Sequence, residues 1–417
     1  MFELFKPPHL FILTTIAILS TLHLLIKKTL RRPKPTFLID FSCYRPPDSH
    51  RIPPSTFLEN SALSGAFDDV SLRFQSNILS KSGFGPETYI PASHFRIPIN
   101  KSQTSAREES ETVVFSVVAD LLEKTRAQPA WVDAVIVNCS TYAPTPSLCA
   151  MIVNRFGMRA DVATYNLSGM GCAAGLASVS LARDLLRTRA RGTLALVVST
   201  ETLSLNWYGG ADRSMLLPNC LFRVGASAAL ISSSADWPSL TIDRVDSHAA
   251  AEDGSPAVSV SKDIVRVAAG ALRANLGALG PKVLPYTEQL RYALFARVPR
   301  FNRCFEHVCV HAGGRAVIEA VRESLRLGEE DVEASRMTLH RFGNTSSSSV
   351  WYELSYLETK GRVKKGDRVW QVAFGSGFKC NSVVWECVDD FTPSDRTAWS
   401  DRIDFYPLDV PHVIEDL

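Results

Sequence analysis

The first pattern along the chain is an apolar run of 17 residues, Leu10 to Ile26, with no acid, lysine or arginine in it. As a helix rising about 1.5 Å per residue it reaches about 26 Å, enough for a thin endoplasmic-reticulum bilayer of about 27 Å. One lysine precedes the run, whereas Lys27, Lys28, Arg31, Arg32 and Lys34 follow it. A cleaved leader carries its positive charge ahead of the apolar stretch. This order therefore predicts an uncleaved anchor with the rest of the chain in the cytosol. The proline-flanked stretch 31–47, RRPKPTFLIDFSCYRPP, is expected to be a spacer between membrane and body.

Polar loops and short helices fill 50–110, and then helix and strand patterns alternate. Val114, Val117, Val118 and Leu121 recur at helical spacing within 108–123. The apolar segment 131–140 reads as a buried strand running into a loop, followed by a helix near Pro146–Phe156 and the short segment Ala163–Leu167. Leu176, Val179, Ala182, Leu185 and Leu186 predict an amphipathic helix over 175–189, and 193–201 a strand that closes the unit. A second strand pair is expected at Ala226–Ser232 and Ser239–Val245. Strands apolar on both faces, with helices between them, predict an α/β fold whose sheets are covered by helices.

Composition narrows the function. A chain of 417 residues exceeds one typical domain of about 100–200, so two lobes or a large double-layered fold are expected. The net charge of +2, with no basic stripe among aromatics, argues against nucleic-acid binding. Nine scattered cysteines without a C-x-x-C pair argue against a disulfide scaffold or structural zinc and fit a reducing compartment. From Asp389 onward eight acids face only Arg396 and Arg402, which reads as a solvated, partly disordered end in preference to a partner-binding tail.

The sharpest chemical signal is NLSGMGCAAG, Asn166 to Gly175. Its Cys172 precedes the 175–189 helix, where the positive helix end and unpaired N–H groups favour a thiolate. Glycines at 169, 171 and 175 are expected to let a thioester approach the backbone, with free N–H groups binding an oxyanion. The same residues match G-x-G-x-x-A, but a dinucleotide site needs an apolar strand before it and an acid about 20 residues on. Here the preceding segment is polar and Glu201 lies 32 residues after Gly169.

Three further segments carry chemistry. In 306–321, His307 and His311 stand four apart before a Gly-Gly turn and a helix. Without H-E-x-x-H or a third ligand the spacing does not make a metal site, and His307 reads as a hydrogen-bonded structural histidine. In 340–358, His340 and Asn344 precede an apolar helix, with Ser346–Ser349 as its capped start in a packed turn. In 374–388 a glycine loop holding Gly375 and Gly377 joins two strands.

A cysteine, a histidine and an asparagine, each beside glycine at an element boundary, resemble the set used by thiolase-fold condensing enzymes. From about Lys34 to Val388 the chain is similar to plant 3-ketoacyl-CoA synthases, the condensing component of very-long-chain fatty acid elongation. The resemblance is carried by PKPTFLIDFSCYRPP, NLSGMGCAAG, NWYGGADRSMLLPNCLFRVGASAAL, LGALGPKVLPYTEQL, HVCVHAGGRAV, HRFGNTSSSSVWYEL and FGSGFKCNSVVW, in family order. It implies a thiolase-like five-layered αβαβα fold preceded by an N-terminal transmembrane helix. The expected division is an anchor and basic flank (1–33), a cysteine-bearing half (34–245), a half with histidine and asparagine (246–390) and an acidic tail (391–417).

By the same resemblance Cys172, His311 and Asn344 are catalytic, His248, His307 and His340 support them, and Gly171, Gly375 and Gly377 belong to oxyanion or substrate-binding loops. Acyl-CoA and malonyl-CoA are the implied substrates, without metal or redox cofactor. The implied partners are a second copy of the chain and the elongase ketoacyl-CoA reductase, dehydratase and enoyl-CoA reductase. Two other readings stay open, a non-catalytic elongase subunit and a chalcone-synthase-like polyketide enzyme. The family has two apolar segments at its start where this chain has one. It also has a longer segment where this chain runs from Asp253 to Val258.

Overall fold

The computed structural model describes residues 35–189, 192–234, 240–246, 264–285, 287–289, 301–375, 378–389 and 396–409. The chain divides into two compact units, Met1–Pro35 and Thr36–Leu417. The expected anchor at Leu10–Ile26, His248 and Gly377 lie outside the described residues. Among the described residues no helix is long and apolar enough to cross a membrane.

In chain order the second unit contains β1 (Thr36–Cys43), α1 (Pro54–Leu63), α2 (Asp69–Lys81), α3 (Gln103–Thr125), β2 (Val132–Asn138), α4 (Leu148–Phe156), β3 (Ala163–Leu167) and α5 (Ala174–Thr188). It continues through β4 (Leu194–Thr200), α6 (Arg213–Leu221), β5 (Ala226–Ser232), β6 (Leu240–Asp246), α7 (Ile264–Val283), β7 (His307–Val310) and α8 (Arg315–Leu325). The last elements are α9 (Glu333–Phe342), α10 (Ser349–Thr359), β8 (Arg368–Gly375) and β9 (Lys379–Cys387). The strands join in the order β3-β2-β4-β5-β1-β6-β9-β8-β7.

Two expectations are corrected by this order. The stretch read as a spacer holds β1, which pairs antiparallel with both β5 and β6 and buries Phe37, Leu38 and Phe41. Its prolines flank the strand instead of interrupting it, so the ladder loses no donor. Consequently β5 and β6, expected as a pair, are separated by β1.

Period-2 alternation decides which side chains meet which helix. Ile136, Ala195, Val197 and Ile231 face Leu176, Val179 and Ala182 of α5 and Val350, Trp351 and Leu354 of α10. The same cluster takes in Val369, Ala373, Val383 and Trp385 from the other strands, so α5 and α10 lie between the two halves of the sheet. Val135, Val137, Leu196 and Val198 point the opposite way, onto Val114, Val117, Val118 and Leu121 of α3 and Leu148 and Ile152 of α4. Val308, Val310, Trp370 and Val372 likewise meet Leu272 and Leu279 of α7 and Ile318 and Val321 of α8. Leu176, Leu354 and Ile136 are each no more than 0% exposed, which places the two helices that carry the site in a dry, rigid interior.

The acidic end is also better packed than its charge predicts. Trp399 is fully buried, donates from Nε1 to Tyr352 O at 2.8 Å and meets the rings of Phe342, Tyr356 and Tyr406. Ala398, Trp399 and Tyr406 thus seat 396–409 on the core, while most of the side chains between them stay at the surface.

Candidate active site

Cys172 sits where β3 gives way to α5. Gly169 (φ +69°) and Gly171 (φ +64°) carry the chain through left-handed angles into the short turn Gly171–Ala173, from which α5 starts. Only glycine adopts such angles without a Cβ penalty. The Gly171 N–H donates to Ser140 Oγ at 2.8 Å, so this amide, expected to face an oxyanion, is engaged in holding the turn. Gly175 serves packing as well, since a Cβ there would lie 2.4 Å from Ser347 O. It lets α5 approach the serine turn and not a ligand. At the end of β8, a Cβ on Gly375 would lie 2.6 Å from Ala173 N and 2.7 Å from Met170 O, so that strand end is seated directly on the nucleophile turn.

The serine turn brings the other site residues in. After α9 ends at Gly343 (φ +70°), Asn344 Nδ2 donates to Gly313 O at 3.1 Å and its Oδ1 accepts from Ser346 N at 2.8 Å. Ser346 is itself held at φ +57°, and its Oγ lies 3.3 Å from Cys172 Sγ and 2.8 Å from Glu201 Oε2. Glu201, just past β4, accepts the Ser140 and Thr141 N–H groups on Oε1 at 2.7 and 2.6 Å. His311 follows β7, and its Nδ1 lies 2.5 Å from Ser349 Oγ at the start of α10. Its Nε2 edge faces Gly313, where an added Cβ would come within 3.0 Å. Hydrogen bonds thus run from Cys172 through Ser346 and Asn344 to Gly313, whose N–H donates to the His311 carbonyl at 2.7 Å, which joins residues 172 to 344 in one cluster.

Burial dominates the electrostatics. Desolvation pushes the Cys172 thiol up to about 12, with the Ser346 hydrogen bond pulling it down and the charge of Glu201 pushing it further up. Burial therefore works against the thiolate that the helix terminus favours. Desolvation lowers His311 to about 4, so its ring is neutral with a single N–H.

The supporting histidines separate by location. His307 Nε2 lies 3.0 Å from Asp367 Oδ2, a tie between the start of β7 and the turn before β8, which fits a structural histidine. The His340 ring packs on Gly85, where a Cβ would fall 2.3 Å from it, and edge-on to Tyr406 at 6.0 Å. Sequence reasoning missed Glu201, Ser346 and Ser349 as site residues. The serine run marked a packed turn, as found, but no serine side chain caps α10. Two of the four hydroxyls point instead at Cys172 and His311.

Known proteins are similar to this chain in sequence and in fold. The family model described as FAE1/Type III polyketide synthase-like protein matches residues 28–239 and 244–300. That described as 3-Oxoacyl-[acyl-carrier-protein (ACP)] synthase III C terminal matches 304–387. The chain is 47% identical over 406 residues to 3-ketoacyl-CoA synthase 4 of Arabidopsis thaliana, covering 90% of this chain and 78% of the relative. It is 47% identical to 3-ketoacyl-CoA synthase 7 of the same plant, covering 89% and 87%. Among solved structures it resembles the C-terminal type III polyketide synthase domain of Steely1 from Dictyostelium. There the TM-score is 0.68 at 16% identity, over 84% of this chain and 99% of that one, which establishes an α/β thiolase-like fold. The chain belongs to the 3-ketoacyl-CoA synthase family.

Proposed function

We propose that this protein joins a long-chain acyl-CoA to malonyl-CoA with loss of CO₂, forming a 3-oxoacyl-CoA in very-long-chain fatty acid elongation. The observation that carries the reading is the hydrogen-bonded chain Cys172–Ser346–Asn344–Gly313 beside His311. Cys172 sulfur attacks the acyl thioester carbon, coenzyme A leaves and an acyl-cysteine remains. Malonyl-CoA then places its thioester oxygen against His311 Nε2–H and the second Asn344 amide hydrogen. As CO₂ departs, these donors stabilise the enolate, which attacks the acyl-cysteine. The Gly375–Gly377 loop supplies the oxyanion site for that second attack. Every step is an acyl transfer, a proton transfer or the loss of CO₂, with no net change of oxidation state, so the reading needs neither metal nor redox cofactor.

The same reading includes a five-layered αβαβα body, an anchor at Leu10–Ile26 in the endoplasmic reticulum membrane and a cytosolic catalytic face. His248 supports the site, and the reductases and dehydratase of elongation are partners. A homodimer is supported by β3, which pairs only with β2 among the described strands and leads directly to the Cys172 turn. The test is radiolabelled CO₂ release from malonyl-CoA run beside acyl-enzyme trapping. Cys172→Gln should trap nothing yet still release CO₂ slowly, whereas His311→Ala and Asn344→Ala should trap acyl groups and lose release. A Cys172 variant without release beside a His311 variant that retains it overturns the assignment.

A further inference from the structure

We infer that Glu353 is a positioning residue for His311: one turn beyond Ser349 on α10, and acting through Ser335 of α9, it holds the open edge of β7 from which the histidine follows. This inference rests on the reading of His311 as a hydrogen-bond donor to the malonyl thioester.

Backbone accounting leads to Glu353. Among the described strands β7 ends the sheet and pairs only with β8. The His311 N–H goes to Val372 O of β8 at 2.9 Å. Successive N–H groups of a strand point to opposite sides, so those of Val310 and Ala312 face the side without a strand. Buried donors of this kind need acceptors. Val310 N–H donates to Ser335 Oγ at 2.9 Å, and the Ser335 hydroxyl donates in turn to Glu353 Oε2 at 2.7 Å. The Ala312 N–H, on the other side of the histidine, bears on the same carboxyl. A strand edge that would otherwise be left to solvent or another chain is thus closed by one side chain from each of two helices.

The same helix also fixes the ring. Ser349 and Glu353 are four residues apart and share a face of α10. Ser349 Oγ stands 2.5 Å from His311 Nδ1, so one residue sets the imidazole and the other sets the backbone on both sides of it. Ser335 and Glu353 are both fully buried. Desolvation pushes the Glu353 carboxyl well above the ordinary carboxylate range, against the Ser335 and Ala312 hydrogen bonds that lower it. That favours the neutral acid, an acceptor that adds no charge beside the neutral ring of His311. A side chain needed only for packing would have no reason to bring a carboxyl into a dry interior.

The experiment measures CO₂ release from malonyl-CoA on the full chain in detergent, with kcat and KM separated, beside acyl trapping on Cys172 and thermal melts. It compares the unaltered protein with Glu353→Met, Ser335→Ala and Glu353→Gln. Glu353→Met keeps the length of the side chain without its oxygens, and Ser335→Ala cuts the link to Val310 with a smaller change. A displacement near 1 Å at a reacting group costs about 10² in rate. In both variants kcat for CO₂ release should fall about ten- to a hundredfold, with KM within a few-fold and acyl trapping lowered less than release. Glu353→Gln, whose uncharged amide oxygen still accepts from Ser335, should recover most of the release. Normal release by Glu353→Met and Ser335→Ala overturns the inference alone. So does a loss shared equally by release and trapping, which would make Glu353 a packing residue, or a Glu353→Gln variant as impaired as Glu353→Met. If Glu353→Met does not fold, Ser335→Ala decides by the same criteria. No CO₂ release from the unaltered protein overturns the inference together with the condensing reading.

Discussion

The Ser349 hydroxyl stands 2.5 Å from Nδ1 of His311, on the first turn of a helix that is buried from Ser349 to Glu358. A neutral imidazole has one N–H, and its place follows from what the other nitrogen accepts. We take the hydroxyl as the donor to Nδ1, which puts the ring hydrogen on Nε2, the edge that faces Gly313. Ser349 thereby makes the histidine a donor toward the site.

Removing that hydroxyl should show in one half-reaction. Ser349→Ala frees Nδ1 to carry the hydrogen, leaving Nε2 a bare acceptor against an enolate oxygen. Losing one preorganised donor typically costs about 10²–10³ in rate. CO₂ release from malonyl-CoA should fall at least tenfold in kcat with a smaller change in KM, while acyl trapping on Cys172 stays within a few-fold. Ser349→Thr, which keeps the hydroxyl, should restore most of the release. Equal losses in both half-reactions would make Ser349 a packing residue only.

Acid stability should depend on His311. Its folded pKa of about 4 lies below the ordinary 6.5. Between those values the unfolded chain binds more protons than the folded one, so stability is fully present above 6.5 and declines as pH falls toward 4. The decline from this group is up to about 3 kcal/mol, at 1.36 kcal/mol per unit. His94, also lowered to about 4 by burial, acts in the same direction. Glu109, raised to about 7 by burial, acts in the opposite one, losing stability as pH rises from 4.5 through 7. His311→Asn keeps an acceptor for Ser349 without a titrating ring. Denaturant midpoints from pH 7 to 4 should fall less steeply for it than for the unaltered protein, and parallel curves would refute the assignment.

How much of this was legible in the sequence follows from the range of each interaction. Cys172 and Asn344 stood out because glycines at 171 and 343 mark turns locally, and α3 because Val114, Val117, Val118 and Leu121 share one face. β1 was missed because its partners, β5 and β6, lie 184 to 206 residues further along the chain, and no local pattern reports such pairing. The desolvation acting on Cys172 was not legible, since a helix terminus is a sequence feature whereas burial depends on what folds over it. Glu201 and Ser346 are common residue types separated by 145 positions, and only the assembled turn joins them in a hydrogen bond.

The seat of β8 on the nucleophile turn gives the sharpest steric prediction. A methyl at Gly375 would lie 2.6 Å from Ala173 N, 2.7 Å from Met170 O and 3.0 Å from Ala173 Cβ. Two of these neighbours are backbone atoms of the turn that carries Cys172, so no flexible side chain can swing away and the turn itself must shift. Overpacking of this kind costs about 1–3 kcal/mol, and a displacement near 1 Å at a reacting atom costs about 10² in rate. Gly169→Ala is the control, because that position is left-handed (φ +69°) but open, with nothing within 4 Å of an added Cβ. It should lower the melting temperature through backbone strain of about 1–2 kcal/mol while changing acyl capture less than tenfold. Gly375→Ala should lower both, with capture reduced about 10² in protein that still melts cooperatively. Thermal melts and acyl trapping on the two variants decide the matter. Normal capture by Gly375→Ala would mean that the strand end yields and that Cys172 is positioned by α5 and the serine turn alone.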